Sequence, residues 1–317
     1  MNDFNHVSKQ TLPLPLTPKL SYRNTAFHGS WEPVSLAERI IMKNVLLTGA
    51  AGGLGSSVVT LLATRGKWHV YAADIDMAGL DALATNLPNI TPIHMDVTDV
   101  ESVRAARKEI QHHTDHLDAI VNMAGLSAFA SLIEGTPIED CERIVQVNAL
   151  GMVRVNATFF DMVEKAKGII VNTSSSTGWM TAQPFAGAYT MSKKAVEGYN
   201  DSLRREAMYC GVRVVKVEPG SYATDLTRNL RTDFDRVYTN TTRFKKALST
   251  MRPMMDSTLE NSGDPRELAE VVVKILNTKH PRLRYRKNSG AALLALEMFP
   301  EKMVDLIYRL LPLMARN

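Results

Sequence analysis

The sequence predicts an α/β fold, a doubly wound parallel sheet in a single domain with a C-terminal helical extension, and three observations carry that prediction. From Lys43 onward, short runs rich in Val and Ile alternate with longer stretches of helical period. The runs are continuously apolar rather than alternating, as strands covered on both faces require. The first run leads directly into a glycine-rich turn and then a helical segment.

Taken in order, the strands are expected at Asn44–Thr48, His69–Asp74, Thr91–Met95, Ala119–Met123, Ile169–Thr173 and Arg213–Glu218. Helices are expected between them, among others at Leu54–Arg65, Val100–His113, Ile138–Lys165 and Ala188–Tyr209. Repetition of strand, helix, strand gives parallel pairing with right-handed crossovers, and ligands of such sheets bind beyond the carboxyl ends of the strands. Residues 1–41, broken by Pro13, Pro15, Pro18 and Pro33, read as a flexible or surface-draped extension ahead of a domain over 42–280. Within that domain, 221–263 mixes Met, Arg, Thr and Phe without a clean period, in the place of a substrate lid, and a helix is expected at Pro265–Asn277. The tail, 281–317, reads as amphipathic, with Met303, Ile307, Leu310, Leu311 and Met314 on one helical face.

Bulk properties narrow the function. The chain has 317 residues and a net charge of +4, too small an excess for nucleic acid to be the main partner. The excess is concentrated after Pro281, where Arg282, Arg284, Arg286, Lys287, Lys302, Arg309 and Arg316 face three acidic residues. Two cysteines in unrelated segments form no disulfide framework, and neither a signal-peptide core nor a membrane-spanning run is present. A reducing, cytoplasmic setting is therefore expected. The tail helix is expected either to pack on the chain's own sheet or to rest on a membrane or a neighbouring subunit.

The turn Thr48-Gly49-Ala50-Ala51-Gly52-Gly53-Leu54-Gly55 carries the first chemical signal. Glycines at Gly49, Gly53 and Gly55 let backbone approach a pyrophosphate, and the helix opening at Leu54 offers free N–H groups and a positive dipole end. Asp74, at the end of the second strand, can accept hydrogen bonds from ribose hydroxyls and repels a 2′-phosphate. NAD is thus expected rather than NADP, with Asp76 as an alternative reader.

The second signal is Ser174-Ser175-Ser176 at the end of the fifth strand, followed by Tyr189 and Lys193. Four residues apart on a helix, Tyr189 and Lys193 share a face. The ammonium is expected to lower the phenol's pKa and make proton exchange with an alcohol feasible, while a serine hydroxyl orients the substrate oxygen.

On these residues the chain resembles the short-chain dehydrogenase/reductase family from about Lys43 to Asn277. The matching motifs are the glycine loop, Tyr189 to Lys193, the strand-end serine, and Pro219-Gly220 with Thr224 after it. The resemblance implies a Rossmann-type nucleotide fold in which Asp96 and Val97 flank the adenine, while Asn122, Ala124 and Gly125 line the cofactor. It implies that Asn148 holds the water of a proton relay from Tyr189, that Lys193 also binds the nicotinamide ribose, and that Thr224 touches the carboxamide or phosphates. The family's serine-to-tyrosine interval fits Ser176, whereas its serine-to-glycine interval fits Ser175 with Gly178; Ser175 is taken as the catalytic serine, with Ser176 as the alternative. Asp201–Glu206, Glu218–Gly220 and Arg282–Tyr285 resemble the retinol and hydroxysteroid dehydrogenase branch, which implies a bulky hydrophobic alcohol or ketone as substrate. A homodimer or homotetramer is likewise implied, pairing Ile138–Lys165 and Ala188–Tyr209.

No metal is implied. His112, His113 and His116 cluster without cysteine support and read as a solvated turn. Met251, Met254 and Met255 suit an adaptable apolar pocket or loose core packing equally. The expected function is an NAD-dependent secondary-alcohol dehydrogenase. Its rivals are an NADPH-dependent carbonyl reductase and a non-catalytic dinucleotide-binding sensor or scaffold.

Overall fold

The computed structural model describes residues 42–314 except Asn86, Pro88 and 135–137, and, ahead of them, two short strands. These are β1 (Tyr22–Asn24) and β2 (Trp31–Pro33), paired antiparallel with Arg23 opposite Glu32. A hairpin thus stands where prolines predicted an irregular extension. The expected flexible or draped character of the rest of 1–41 lies outside the described residues. Residues 1–41 and 42–317 form separate compact units.

The second unit is built on a seven-stranded sheet in the order β5-β4-β3-β6-β7-β8-β9, parallel throughout. Its strands are β3 (Lys43–Thr48), β4 (Trp68–Asp74), β5 (Ile90–His94), β6 (Ala119–Asn122), β7 (Ile169–Thr173), β8 (Arg213–Pro219) and β9 (Arg284–Lys287). Six coincide with the predicted runs to within a residue or two. The seventh escaped prediction because an exposed edge strand needs no apolar run, and Arg-Tyr-Arg-Lys has none. The order reverses between β3 and β6, which opens a crevice at their carboxyl ends.

Helices cover both faces. α1 (Gly53–Thr64) and α10 (Pro265–Leu276) pack over Val45, Leu47, Val70, Val121 and Val215. On the other face α3 (Val100–Gln111), α5 (Met152–Lys165) and α7 (Gly187–Ala207) cover Leu46, Tyr71, Ile120, Ile170 and Val214. Asp76 caps α2 (Met77–Ala84) by accepting from the Gly79 N–H at 3.1 Å. The predicted helix Ile138–Lys165 is α4 (Ile138–Val145) joined to α5 by a π-helical turn, Gln146–Gly151.

Two segments depart from expectation. Residues 221–263 contain two full helices, α8 (Asp225–Asn240) and α9 (Lys245–Glu260). Each packs through an apolar stripe at helical spacing, Leu230, Phe234, Val237 and Tyr238 on the first and Leu248, Met251 and Met255 on the second, against Phe129. The tail is divided by Pro300 into α11 (Ala291–Leu296) and α12 (Glu301–Leu310), with a 3₁₀ turn at Leu311–Met314 resting on α9. Val304 is the buried residue of α12, while Met303, Leu306, Ile307 and Leu310 are exposed. Of the predicted apolar face, Met303, Ile307 and Leu310 therefore point outward, while Leu311 is half-buried in the turn on α9. Among the described residues no helix is long and apolar enough to cross a membrane.

Candidate active site

β3 delivers the chain into the glycine turn at the crevice. Gly49 adopts φ +69°, and a Cβ there would fall 2.6 Å from the Ala124 nitrogen. At Gly55 a Cβ would fall 1.9 Å from the Gly49 carbonyl oxygen, so no side chain fits. Gly52 precedes α1 without any side-chain cap, which leaves the first N–H groups of the helix free for an anion. Thr224 stands over this turn with its side chain 2.8 Å from where a Gly53 Cβ would be, and Leu54 lies half-buried behind it. This cradle fits a pyrophosphate on geometric grounds.

Asp74 sits at the carboxyl end of β4. Its carboxylate accepts from the Ala51 N–H at 3.0 Å and the Asp76 N–H at 3.1 Å, tying the strand end to the cradle. Asp76 is committed to capping α2, which separates the two aspartates in role. Beyond the end of neighbouring β5, Asp96 accepts from the N–H and hydroxyl of Thr98 at 2.8 and 2.7 Å. Val97 packs so closely on Gly151 of the π turn that a Cβ there would lie 2.7 Å from it.

Tyr189 and Lys193 lie one turn apart on α7, with the Lys193 ammonium 5.7 Å from the centre of the Tyr189 ring. Lys193 is buried and Tyr189 half-buried beside the strand ends, and Lys193 Nζ donates to the Thr173 carbonyl at 3.1 Å. Ser175 caps the short helix α6 (Ser176–Trp179), lies 3.5 Å from the Pro219 carbonyl, and hydrogen-bonds the Tyr189 phenol. The Ser175 hydroxyl is thus the one that meets the phenol, and Ser176 begins the helix behind it. Gly220 follows with its N–H on the Lys287 carbonyl at 2.8 Å.

Asn148 is fully buried in the π turn, a local widening of the helix that recurs at functional sites. It accepts from the Leu126 N–H at 2.7 Å and donates to the Leu126 carbonyl at 2.8 Å and to Ser192 Oγ at 3.0 Å. Ser192 in turn donates to the Tyr189 carbonyl at 2.7 Å, linking Asn148 to the catalytic helix. A Gly125 Cβ would lie 3.4 Å from Asn148 Oδ1 and 3.8 Å from Lys193 Nζ, so glycine leaves that space open.

The electrostatics differ from expectation in one respect. Burial pushes the Tyr189 phenol above its ordinary pKa, with the Ser175 hydrogen bond opposing. The net direction is thus opposite to the expected lowering, and burial also brings the Lys193 ammonium down to about 8, against the favourable field of Glu197. The phenol is therefore held protonated by the protein alone.

Sequence reasoning missed a polar layer beneath these groups. Asn122 donates to Asn156 at 2.7 Å and to Asn172 at 2.9 Å, and Asn172 donates to Asn200 at 3.1 Å. All four are buried, so Asn122 supports the crevice from within rather than facing it. A lone Asn in the apolar run Ile169–Thr173 was the available signal, because a buried polar residue is the informative exception.

A short chain dehydrogenase family model matches residues 43–235. Retinol dehydrogenase 7 from Mus musculus is 32% identical over 277 residues, covering 83% of this chain and 86% of its own length. The 17-beta-hydroxysteroid dehydrogenase type 6 of Rattus norvegicus is 31% identical over 83% of this chain and 86% of its own length. An alcohol dehydrogenase from the archaeon Thermococcus sibiricus, solved with 5-hydroxy-NADP, superposes with TM-score 0.65 at 23% identity over 78% of this chain and 97% of that one. A 3-ketoacyl-(acyl-carrier-protein) reductase from Brucella melitensis, solved with NADH, gives TM-score 0.65 at 20% identity with the same coverages. The chain therefore belongs to the short-chain dehydrogenase family, in its retinol and hydroxysteroid dehydrogenase branch, and is a nicotinamide-nucleotide-dependent oxidoreductase interconverting alcohols and carbonyl compounds.

Proposed function

We propose that the chain interconverts a hydrophobic secondary alcohol and its ketone with NAD, using Tyr189 as the proton-exchanging group. The observation that carries this reading is the convergence of Ser175 and Lys193 on the Tyr189 phenol beside the glycine cradle. A bound nicotinamide supplies the hydride exchange at the carbinol carbon. In ketone reduction Tyr189 donates its proton to the carbonyl oxygen, and its raised pKa keeps that proton in place beforehand. In alcohol oxidation Tyr189 takes the proton, and the Lys193 ammonium stabilises the phenolate. Ser175 orients the oxygen, and Asn148 with Ser192 supports the relay that returns the proton to solvent.

Asp74 is proposed to read the ribose. Gly49, Gly53, Leu54, Gly55 and Thr224 would hold the pyrophosphate, Asp96 and Val97 would flank the adenine, and Ala124, Gly125, Pro219 and Gly220 would shape the nicotinamide side, with Asn122 supporting it from beneath. Fluorescence titration with NADH and separately with NADPH tests the assignment. Preference for NADH supports Asp74, whereas preference for NADPH overturns it and makes carbonyl reduction the leading reaction. Binding of neither removes the support for catalysis and leaves a non-catalytic scaffold. In the Tyr189→Phe variant turnover is expected to fall by about 10³-fold with NADH binding intact, within the usual range for general acid–base groups. Retained turnover rejects the mechanism.

The apolar substrate is proposed to lie under 221–263. An aromatic cluster fastens that segment to the body, with Phe129 5.3 Å from Phe185 and 5.1 Å from Phe234, and Phe185 5.3 Å from Phe244. Phe185 holds φ +65°, a costly conformation for an aromatic residue and one that clusters at functional sites. The tail, 281–317, is proposed to contact a membrane surface through Met303, Leu306, Ile307 and Leu310, flanked by Lys302 and Arg309. Co-sedimentation with anionic vesicles that is lost on truncation after Ser289 supports this contact. Exposed Leu150 and Met191 lie on the two helical segments proposed to pair subunits in a homodimer or homotetramer.

A further inference from the structure

The row Tyr189, Lys193, Glu197, Asp201 recurs every four residues on α7, so all four share one face. That face turns to β7 and β8. Lys216, buried at 2% exposure in the middle of β8, meets Glu197 at 2.5 Å and Asp201 at 3.2 Å. The serine turn lies directly on this part of α7. A Cβ at Gly178 would fall 3.1 Å from Glu197 Cγ, 3.1 Å from the Lys193 carbonyl and 2.5 Å from Ser174 Oγ. Glu197 therefore touches the turn that carries Ser175 and stands one helical turn from Lys193.

We propose that Glu197, fixed by Lys216, is a positioning residue that braces the Ser175 turn and keeps Lys193 charged beneath Tyr189. This rests on the Tyr189 and Lys193 reading above. Burial works against the Lys193 charge, and Glu197 is the group whose field works for it. No carboxylate lies within ion-pair distance of Lys193 among the described residues. Glu197 Oε1 is buried without a hydrogen-bond partner, so Lys216 is the cation that holds this carboxylate. The other charged groups on this face are spoken for. Asp201 shares Lys216, and Glu218, next along β8, is paired with Arg286 of β9 at 2.6 Å with Arg284 beyond. A buried ion pair adds little net stability over apolar residues of similar size, so stability alone does not account for a lysine at this place in the sheet.

The test is the titration of Lys193 in the full chain, followed by NMR of labelled lysine side chains and assigned with Lys193→Met. In Glu197→Gln, which keeps an acceptor for Lys216, the Lys193 midpoint is expected to fall by about one unit, a tenfold change in its proton affinity. The alkaline limb of kcat/KM should move with it, so activity drops several-fold near pH 8 and converges with the parent below about pH 6. The paired change Glu197→Leu with Lys216→Met restores an apolar interior. It should recover folding stability while leaving the Lys193 midpoint low. An unchanged midpoint in Glu197→Gln, a uniform loss at every pH, or a parental profile in the paired variant overturns the proposal. None of these is confused with failure of the Tyr189 mechanism, because the lysine titration is read without turnover.

Discussion

On β3, β4 and β5 the buried side chains are apolar apart from Thr48 and the phenol of Tyr71, whereas β6, β7 and β8 bury Asn122, Asn172, Thr173, Lys216 and Glu218. The contrast runs along one rung of the register, in which Thr48, Asn122, Asn172, Lys216 and Arg284 are successive neighbours across the sheet. Parallel register puts all five on the face covered by α5 and α7. The first half, in the proposed function, would hold its ligand with backbone, through glycines and a helix end, so its interior is free to be apolar. The second half positions side chains, and it stacks α7 on a hydrogen-bonded polar layer in which Asn122 Oδ1, Asn200 Nδ2 and Glu197 Oε1 keep no partner.

The contrast can be broken most forcibly in the cradle. Gly55→Val places atoms where even a Cβ would lie 1.9 Å from the Gly49 carbonyl. Overpacking of this kind costs about 1–3 kcal/mol, and NADH affinity should fall by roughly 10- to 100-fold. Titration of the variant measures it, and near-parental affinity would show that the turn does not hold the dinucleotide. Because the interior beneath the turn is apolar and self-contained, the fluorescence of a bound hydrophobic dye should report little new exposure.

Asn172→Val strikes the other half. Asn172 accepts from Asn122 and Asn156 and donates to Asn200, so its loss strands the Asn200 amide and takes one partner each from Asn122, which keeps Asn156, and Asn156, which keeps Tyr199. One stranded buried polar group costs about 1–3 kcal/mol, and denaturant unfolding should show a loss in that range or somewhat above it. The cofactor affinity should change less than in Gly55→Val. A stability loss below about 0.5 kcal/mol, typical of an inconsequential site, would mean that the asparagine layer is filler.

How much of this was legible in the sequence follows the same division. Gly49, Gly53 and Gly55 announce themselves because backbone recognition needs a local pattern, and Tyr189 with Lys193 does so because four residues make one helical turn. Asn172 gains its meaning from Asn122, Asn156 and Asn200, which lie 50, 16 and 28 residues away in the chain. Lys216 carries no signal of its own inside the run Arg213–Glu218, because its partners Glu197 and Asp201 come from α7. The π turn around Asn148 and the polar edge strand β9 have no period to read. α8 and α9 were hidden because their narrow stripes, Leu230-Phe234-Val237 and Leu248-Met251-Met255, are interleaved with many Arg, Asp and Thr and lack the Val and Ile runs that mark the core.

Asp74 lies on the boundary between the two halves and sharpens the comparison most finely. Its carboxylate is a side chain in the backbone-dominated half, and it already serves the Ala51 and Asp76 N–H groups. Replacement by Ala removes both the charge and these tethers, so a loss of NADH affinity of about tenfold could arise from a loosened cradle as well as from a lost ribose partner. Asp74→Asn separates the two causes. It keeps one acceptor oxygen, enough for the Ala51 tether though not also for Asp76, and removes the charge that repels a 2′-phosphate. The expected outcome is parental thermal stability, a modest loss of NADH affinity and a gain for NADPH, so that the ratio of the two dissociation constants moves toward one. If Asn preserves the ratio while Ala lowers both affinities together, Asp74 is only a strut of the cradle, and discrimination between the two nucleotides must come from another group at the end of β4.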